Sequence, residues 1–291
     1  MLQDQITTIR SDLDIDMFRL NFLVLSILCA FLSQYGRAMR WSKFIKISGF
    51  RVNNVNLFDA YFKSILANNV LPLRMGDVLR ATYYGRKFTG SSVTGIILII
   101  SEKVLDTVAL LLVIGIAFYD DSLDYLNRKI NIFGFTGLAL LVFGWIFLLY
   151  IVWRSPKTKK HLVKSVEFSK KLQIKKSESL SLVVHTLVIW ILEALSFYCA
   201  LQSLGIEITY IKSIILMSIV TLSTSIPSTP GYFGTFHLVF IEALRVLDSS
   251  TNKSFVAAVS VHLILWLTSN LIGIWYVVTS AWGIRSRRAQ I

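Results

Sequence analysis

Six charged residues in two short stretches are the first chemistry this sequence offers: Arg74, Asp77 and Arg80, then Glu102, Lys103 and Asp106. The second trio lies inside an apolar block, where each charge costs on the order of 3 kcal/mol to insert and needs a reason. Glu102 and Asp106 are four apart and share one helix face, while Lys103 points about a third of a turn away. Two roles fit them. One is an internal salt-bridge cluster that fixes helix packing. The other is the polar wall of a lipid-headgroup cavity, with a carboxylate able to carry a proton. In both, Arg74, Asp77 and Arg80 are the expected partners.

Arg74 and Arg80 follow a helix break marked by Asn69, Pro72 and Gly76. Exposed amides at broken helix ends favour an anion, and arginine grips phosphate bidentately. Anchoring at a cytoplasmic surface is the plainer role for the same arginines. A second break, Ser225 to Gly234, contains Pro227, Pro230, Gly231 and Gly234. It frees backbone groups at membrane depth, or makes a tight outer turn. His237 follows it as a headgroup ligand, a proton carrier or a packing residue. His262, Trp266 and Asn270 recur at four-residue spacing; two uses fit them, a cavity face and helix–helix contact, of which the second is the expected one. The candidate substrate-binding set is therefore Asn69, Arg74, Asp77, Arg80, Glu102, Lys103, Asp106, Pro230, Gly231, Gly234 and His237.

The elements that position these residues belong to a membrane. Of 291 residues, 54% are hydrophobic and only 16% are charged, against roughly 25% in soluble domains. The apolar residues fall in blocks: Phe18 to Tyr35, Gly95 to Phe118, Ile132 to Trp153, Leu182 to Leu204 and Phe255 to Trp282. Each meets the requirement of about 20 apolar residues for a spanning helix. A soluble cytoplasmic enzyme is excluded. The longest polar stretch, Arg154 to Ser181, is too short for a separate domain of about 50 residues. Cys29 and Cys199 sit inside apolar blocks, with no disulfide framework or zinc spacing. No Walker, zinc-protease or nucleophile-elbow motif occurs. The expectation is a non-enzyme without metal or cofactor. The net charge of +13 reflects loops facing anionic lipid, and no nucleic acid is expected as partner.

Charge bias orients the chain. Arg37 to Arg51, the central run Arg154 to Lys176 and Arg285 to Arg288 should all be cytoplasmic, and the acidic stretch Asp120 to Asn131 outside. Leu57 to Leu73, followed by Arg74, Arg80, Arg86 and Lys87, keeps its charges inside only as a re-entrant hairpin. The same reasoning turns Ile211 to Val246 into a hairpin from the outer face. The expected fold is an all-α polytopic membrane protein. It has about five full spans and two oppositely oriented re-entrant hairpins in an inverted repeat. The expected boundaries are a single integral domain, 1–291, with a first repeat at 18–118 (inner hairpin near 57–87) and a linking span at 132–153. A second repeat spans 182–282, with its outer hairpin near 211–247. Opposed repeats with matching broken helices point to a transporter site near the bilayer middle.

At three motifs a family resemblance becomes visible. Asn69-Val-Leu-Pro-Leu-Arg-Met-Gly-Asp-Val-Leu-Arg80, Ser101-Glu-Lys-Val-Leu-Asp106 and Pro230-Gly-Tyr-Phe-Gly234 resemble the flippase-like transmembrane domain of lysylphosphatidylglycerol synthases. The resemblance runs from about Gln34 to the end. It implies lipid translocation between leaflets, with Arg74, Asp77, Arg80, Glu102 and Asp106 as core positions. The departures are Asp77 where the family more often has Glu, Lys103 where it has Arg, and Tyr232 and His237 where it has paired glycines and a Glu. A further N-terminal span and the soluble aminoacyl-transferase domain have no counterpart here, so lysyl-lipid synthesis is not expected.

The expected function is flippase-like movement of a phosphate-bearing lipid or polyprenyl-phosphate glycolipid in envelope lipid or glycan synthesis. The alternative is a membrane-embedded lipid-presenting partner or transferase. Expected partners are an anionic lipid or polyprenyl-phosphate-linked sugar, membrane lipids and envelope glycosyltransferases. The expected location is the cytoplasmic membrane, with the C-terminus inside.

Overall fold

The computed structural model describes residues 20–117, 176–224, 229–247 and 253–282. Every regular element among them is helical, as the apolar blocks require. The first set comprises α1 (Leu20–Ile47), α2 (Asn54–Val70), α3 (Met75–Leu79), a π-helical turn (Arg80–Tyr84), α4 (Gly85–Thr89) and α5 (Ser92–Ala117). The second comprises α6 (Lys176–Ser203), α7 (Tyr210–Ser223), a 3-10 turn (Pro230–Tyr232), α8 (Thr235–Leu247) and α9 (Ser254–Ala281). The expected linking span 132–153, most of the central basic run, the acidic stretch, Pro227 and the C-terminal arginines lie outside the described residues.

Helices α1, α6 and α9 are each 28 residues and apolar enough to cross a membrane. Helix α5, with 26 residues, is also long enough but carries Glu102, Lys103 and Asp106. Helices α2, α7 and α8 have 17, 14 and 13 residues. At a 1.5 Å rise the last two reach only about 20 Å, short of the roughly 30 Å hydrocarbon core. Local chemistry sets the breaks. The Asn53 side chain caps α2 by accepting from the Val55 amide at 2.9 Å. The helix stops at Leu71, whose extended backbone is what a following proline imposes. Thr209 caps α7 through the Lys212 amide.

One boundary corrects the sequence reading. The first apolar block ends at Tyr35, but α1 continues to Ile47 because Ala38, Trp41 and Ile45 are core residues. Arg37 and Arg40 are therefore helical rather than loop residues, and Arg40 is wholly buried.

Small residues let the long helices approach. Ser26 Oγ donates to the Ser196 carbonyl at 2.8 Å, and Ser196 Oγ returns a bond to the Ser26 carbonyl at 2.9 Å. This reciprocal pair joins α1 to α6, with small side chains on the facing surfaces. Helix α2 packs on α9 and α7 on α5, so the short arm of each set rests on the last helix of the other. The two cores repeat that exchange. The first, around Trp41, Tyr61 and Phe62, takes Ile272 and Tyr276 from α9. The second, around Phe197, Met217 and Phe240, takes Ala109 and Leu110 from α5. Large apolar side chains such as Leu28, Ile191, Leu271 and Trp275 face outward.

Candidate functional site between two helix breaks

A cavity of about 220 Å³ lies between the two sets, with walls from α1, α2, α3, α5, α6, α7, α8 and α9. Its position follows from the breaks. Leu73 and Arg74 hold φ of 56° and 54°, and Tyr232 holds 62°. These are the non-glycine residues with positive φ among the described residues, so backbone strain is confined to the two breaks. Arg74 connects them. Its Nη2 donates to the Thr224 carbonyl at the end of α7, and its guanidinium lies 5.3 Å from the Tyr232 ring centre.

The first break feeds an ion-pair network. Asp77 faces Lys103 at 3.3 Å, Arg80 at 3.4 Å and Arg74 at 3.6 Å. The Asn68 side chain accepts from the Asp77 amide at 2.9 Å, which fixes the start of α3 over the end of α2. Gly76 makes that approach possible: a Cβ there would sit 1.8 Å from the Ser64 carbonyl. The π-helical turn then directs Arg80 inward, where its Nη1 is 3.2 Å from Glu102. Tyr61 and Trp41 flank the Arg80 guanidinium, with ring centres 4.9 and 5.5 Å away. The turn can press against α5 because Gly95 has no side chain; a Cβ would lie 2.0 Å from the Ala81 carbonyl.

Arg40, which the sequence reading assigned to a basic loop, completes the network from α1. It donates to both Asp106 oxygens, at 2.6 and 2.8 Å, and is 3.6 Å from Glu102. Trp190 Nε1 adds a third bond to Asp106 at 3.2 Å. Glu193 is a further member outside the candidate set, accepting from Ser33 and from Arg37 at 3.1 Å. The clue was available: an acidic residue inside the apolar block of α6 demands a cation, and Arg37 and Arg40 are in helical register with the first block.

The structure thus brings Asn69, Arg74, Asp77, Arg80, Glu102, Lys103 and Asp106 to one cavity wall. Asn69 also donates to Ser269 and Asn270 on α9, so it ties helices together as well. Pro230, Gly231, Gly234 and His237 do not line it. Behind the wall Gly231, Gly234 and His237 join a chain of hydrogen bonds, and the second break reaches the cavity through Tyr232, His262 and Trp266. His262 Nε2 lies 2.8 Å from the Gly231 carbonyl, so it must donate. In the neutral ring Nδ1 then accepts from His237 Nε2 at 3.2 Å, and His237 Nδ1 accepts from the Gly234 amide at 3.4 Å. The chain starts and ends on the break itself. Among the described residues no group of three His, Cys, Asp or Glu side chains could hold a metal ion.

Such an arrangement, a charged and aromatic cavity inside an apolar-faced helical bundle, is that of a polytopic membrane protein. Residues 12–273 match the family described as the lysylphosphatidylglycerol synthase TM region, and the chain belongs to it. It is also similar to a UPF0104 membrane protein of Methanocaldococcus jannaschii, 24% identical over 220 residues, covering 72% of this chain and 93% of the relative. No solved structure matches.

Proposed function

We propose that the protein moves the headgroup of a phosphate-bearing lipid, a phospholipid or a polyprenyl-phosphate glycolipid, between membrane leaflets without altering it chemically. The observation that carries this reading is the meeting of two broken helices at a charged cavity, with Arg74 spanning both breaks. The tails would remain in lipid, against the apolar exterior. The short arms α7 and α8 support re-entrant hairpins, and the exchange of last helices between the two cores supports an opposed repeat. On this reading the bundle lies in the cytoplasmic membrane with its C-terminus inside, and serves enzymes of envelope lipid or glycan synthesis.

The test is leaflet exchange in proteoliposomes that hold the purified chain and fluorescent lipids, with bleaching of the outer leaflet. Acceleration well above protein-free vesicles is expected, with a marked slowing in Arg74→Gln. Exchange no faster than in empty vesicles would favour the lipid-presenting alternative.

A further inference from the structure

The charges around the cavity do not cancel. Asp106 and Glu102 share Arg40, and Glu102 also faces Arg80. Asp77 alone meets three cations, Arg74, Arg80 and Lys103. Four cations of this linked network therefore face three carboxylates. Arg37 is matched separately by Glu193. One positive charge is left over.

Resting on the transport reading above, we propose that the cavity is matched to a headgroup of one net negative charge, a phosphodiester. Arg74 and Lys103 hold it in competition with Asp77, and a diphosphate is rejected. At membrane depth an uncompensated charge is costly whichever its sign. A phosphodiester anion brings the site to neutrality. A zwitterionic headgroup leaves the excess in place, and a diphosphate overshoots it.

Exposure selects the residues that grip. The side chains of Arg40 and Arg80 are 0% and 1% exposed and already committed, Arg40 to Asp106 and Arg80 between two aromatic rings. Those of Arg74 and Lys103 are 18% and 25% exposed, and both approach the same Asp77 oxygen. Asp77 occupies the place the phosphate would take between these two cations, and reclaims them when the lipid leaves. That competition keeps binding weak enough for release.

The test is a charge series, read as binding to the detergent-solubilised full chain. The probes share one tail: dioctanoyl phosphatidylglycerol with one negative charge, dioctanoyl phosphatidylcholine with none net, and dioctanoylglycerol pyrophosphate with two or more. Wild type should prefer phosphatidylglycerol over both by about tenfold. Asp77→Asn raises the excess to two and should move the preference to the pyrophosphate. Lys103→Gln removes the excess and should bring phosphatidylcholine level with phosphatidylglycerol. Arg74→Gln should match it, so a misfolded variant leaves a second one to read. Equal or tighter pyrophosphate binding by wild type, an order unchanged by the variants, or no binding of any probe would each overturn the proposal. Binding that follows the series without leaflet exchange would remove the transport reading alone. Exchange with binding indifferent to charge would remove the charge matching alone.

Discussion

The guanidinium of Arg74 rests over the ring of Tyr232, 5.3 Å from its centre, and each residue holds a positive φ at its own helix break. Two strained turns, far apart in sequence, are thus each other's neighbours. Strain of roughly 1–3 kcal/mol per residue persists only where surroundings enforce it, and here each turn helps to enforce the other.

That pairing makes a coupling experiment decisive. Arg74→Gln and Tyr232→Leu should each slow leaflet exchange about tenfold, and the double variant should be hardly slower than either. A coupling energy of about 1.4 kcal/mol, the whole of one tenfold effect, is expected and lies within the range of a partly desolvated cation–π contact. Rates that multiply independently would mean that the two breaks do not act together.

Arg40 should behave differently, as a stabilising residue. It is wholly buried and holds Asp106 through two bonds. Arg40→Ala leaves Asp106 without a cation and takes one of two cations from the buried Glu102, and should cost about 3 to 5 kcal/mol, seen as a large drop in detergent melting temperature. Arg40→Met with Asp106→Leu should recover part of it. An unchanged melting temperature in the single variant would contradict the network.

What the sequence alone makes legible differs from residue to residue. Asn69, Pro72 and Gly76 announce the first break because proline and glycine act on local backbone geometry. Glu102, Lys103 and Asp106 announce a buried network because charge in an apolar block needs compensation. Arg40 stays hidden, since a basic residue just past an apolar run looks the same in a loop and in a helix that continues. Only the packing of Trp41 and Ile45 distinguishes them. Pro230 and Gly234 are legible as a break, but not that Tyr232 and His262 carry that break to the cavity. Which side of a turn faces inward depends on tertiary contacts.

Gly95 offers a test of the π-helical turn. Gly95→Ala places a methyl group against the Ala81 carbonyl and should cost at least about 1 to 3 kcal/mol by overpacking. Gly115, on the same helix, has open space where a Cβ would sit, with nothing within 4 Å. Gly115→Ala should therefore stabilise slightly, by about 0.5 to 1 kcal/mol. Melting curves of the two variants should shift in opposite directions.

The hairpin topology is testable by accessibility. Arg51 precedes α2 and Lys87 lies in α4, at the two ends of the proposed inner hairpin, and both are exposed. Cysteines at the two positions should react with an impermeant maleimide from the same, cytoplasmic, side. Reaction of the two from opposite sides would make α2 a full span and remove the inner hairpin.

The histidine pair permits a spectroscopic prediction. The Gly231 carbonyl can only accept, so His262 must carry a proton on Nε2; the Gly234 amide can only donate, so His237 Nδ1 must be bare. Both rings are then neutral Nε2–H tautomers, and His237 Nε2–H points at His262 Nδ1. Nitrogen-15 spectra of the labelled protein at neutral pH should show two imidazoles of that tautomer. His237→Ala, which leaves the buried His262 Nδ1 without its donor, should cost about 1 kcal/mol. His262→Ala should cost more, because it also removes a ring stacked 4.6 Å from Phe236 and strips the Gly231 carbonyl of its donor. A proton on Nδ1 of either ring would break the chain at the Gly234 or the His262 step, and the second helix break would then need another means of support.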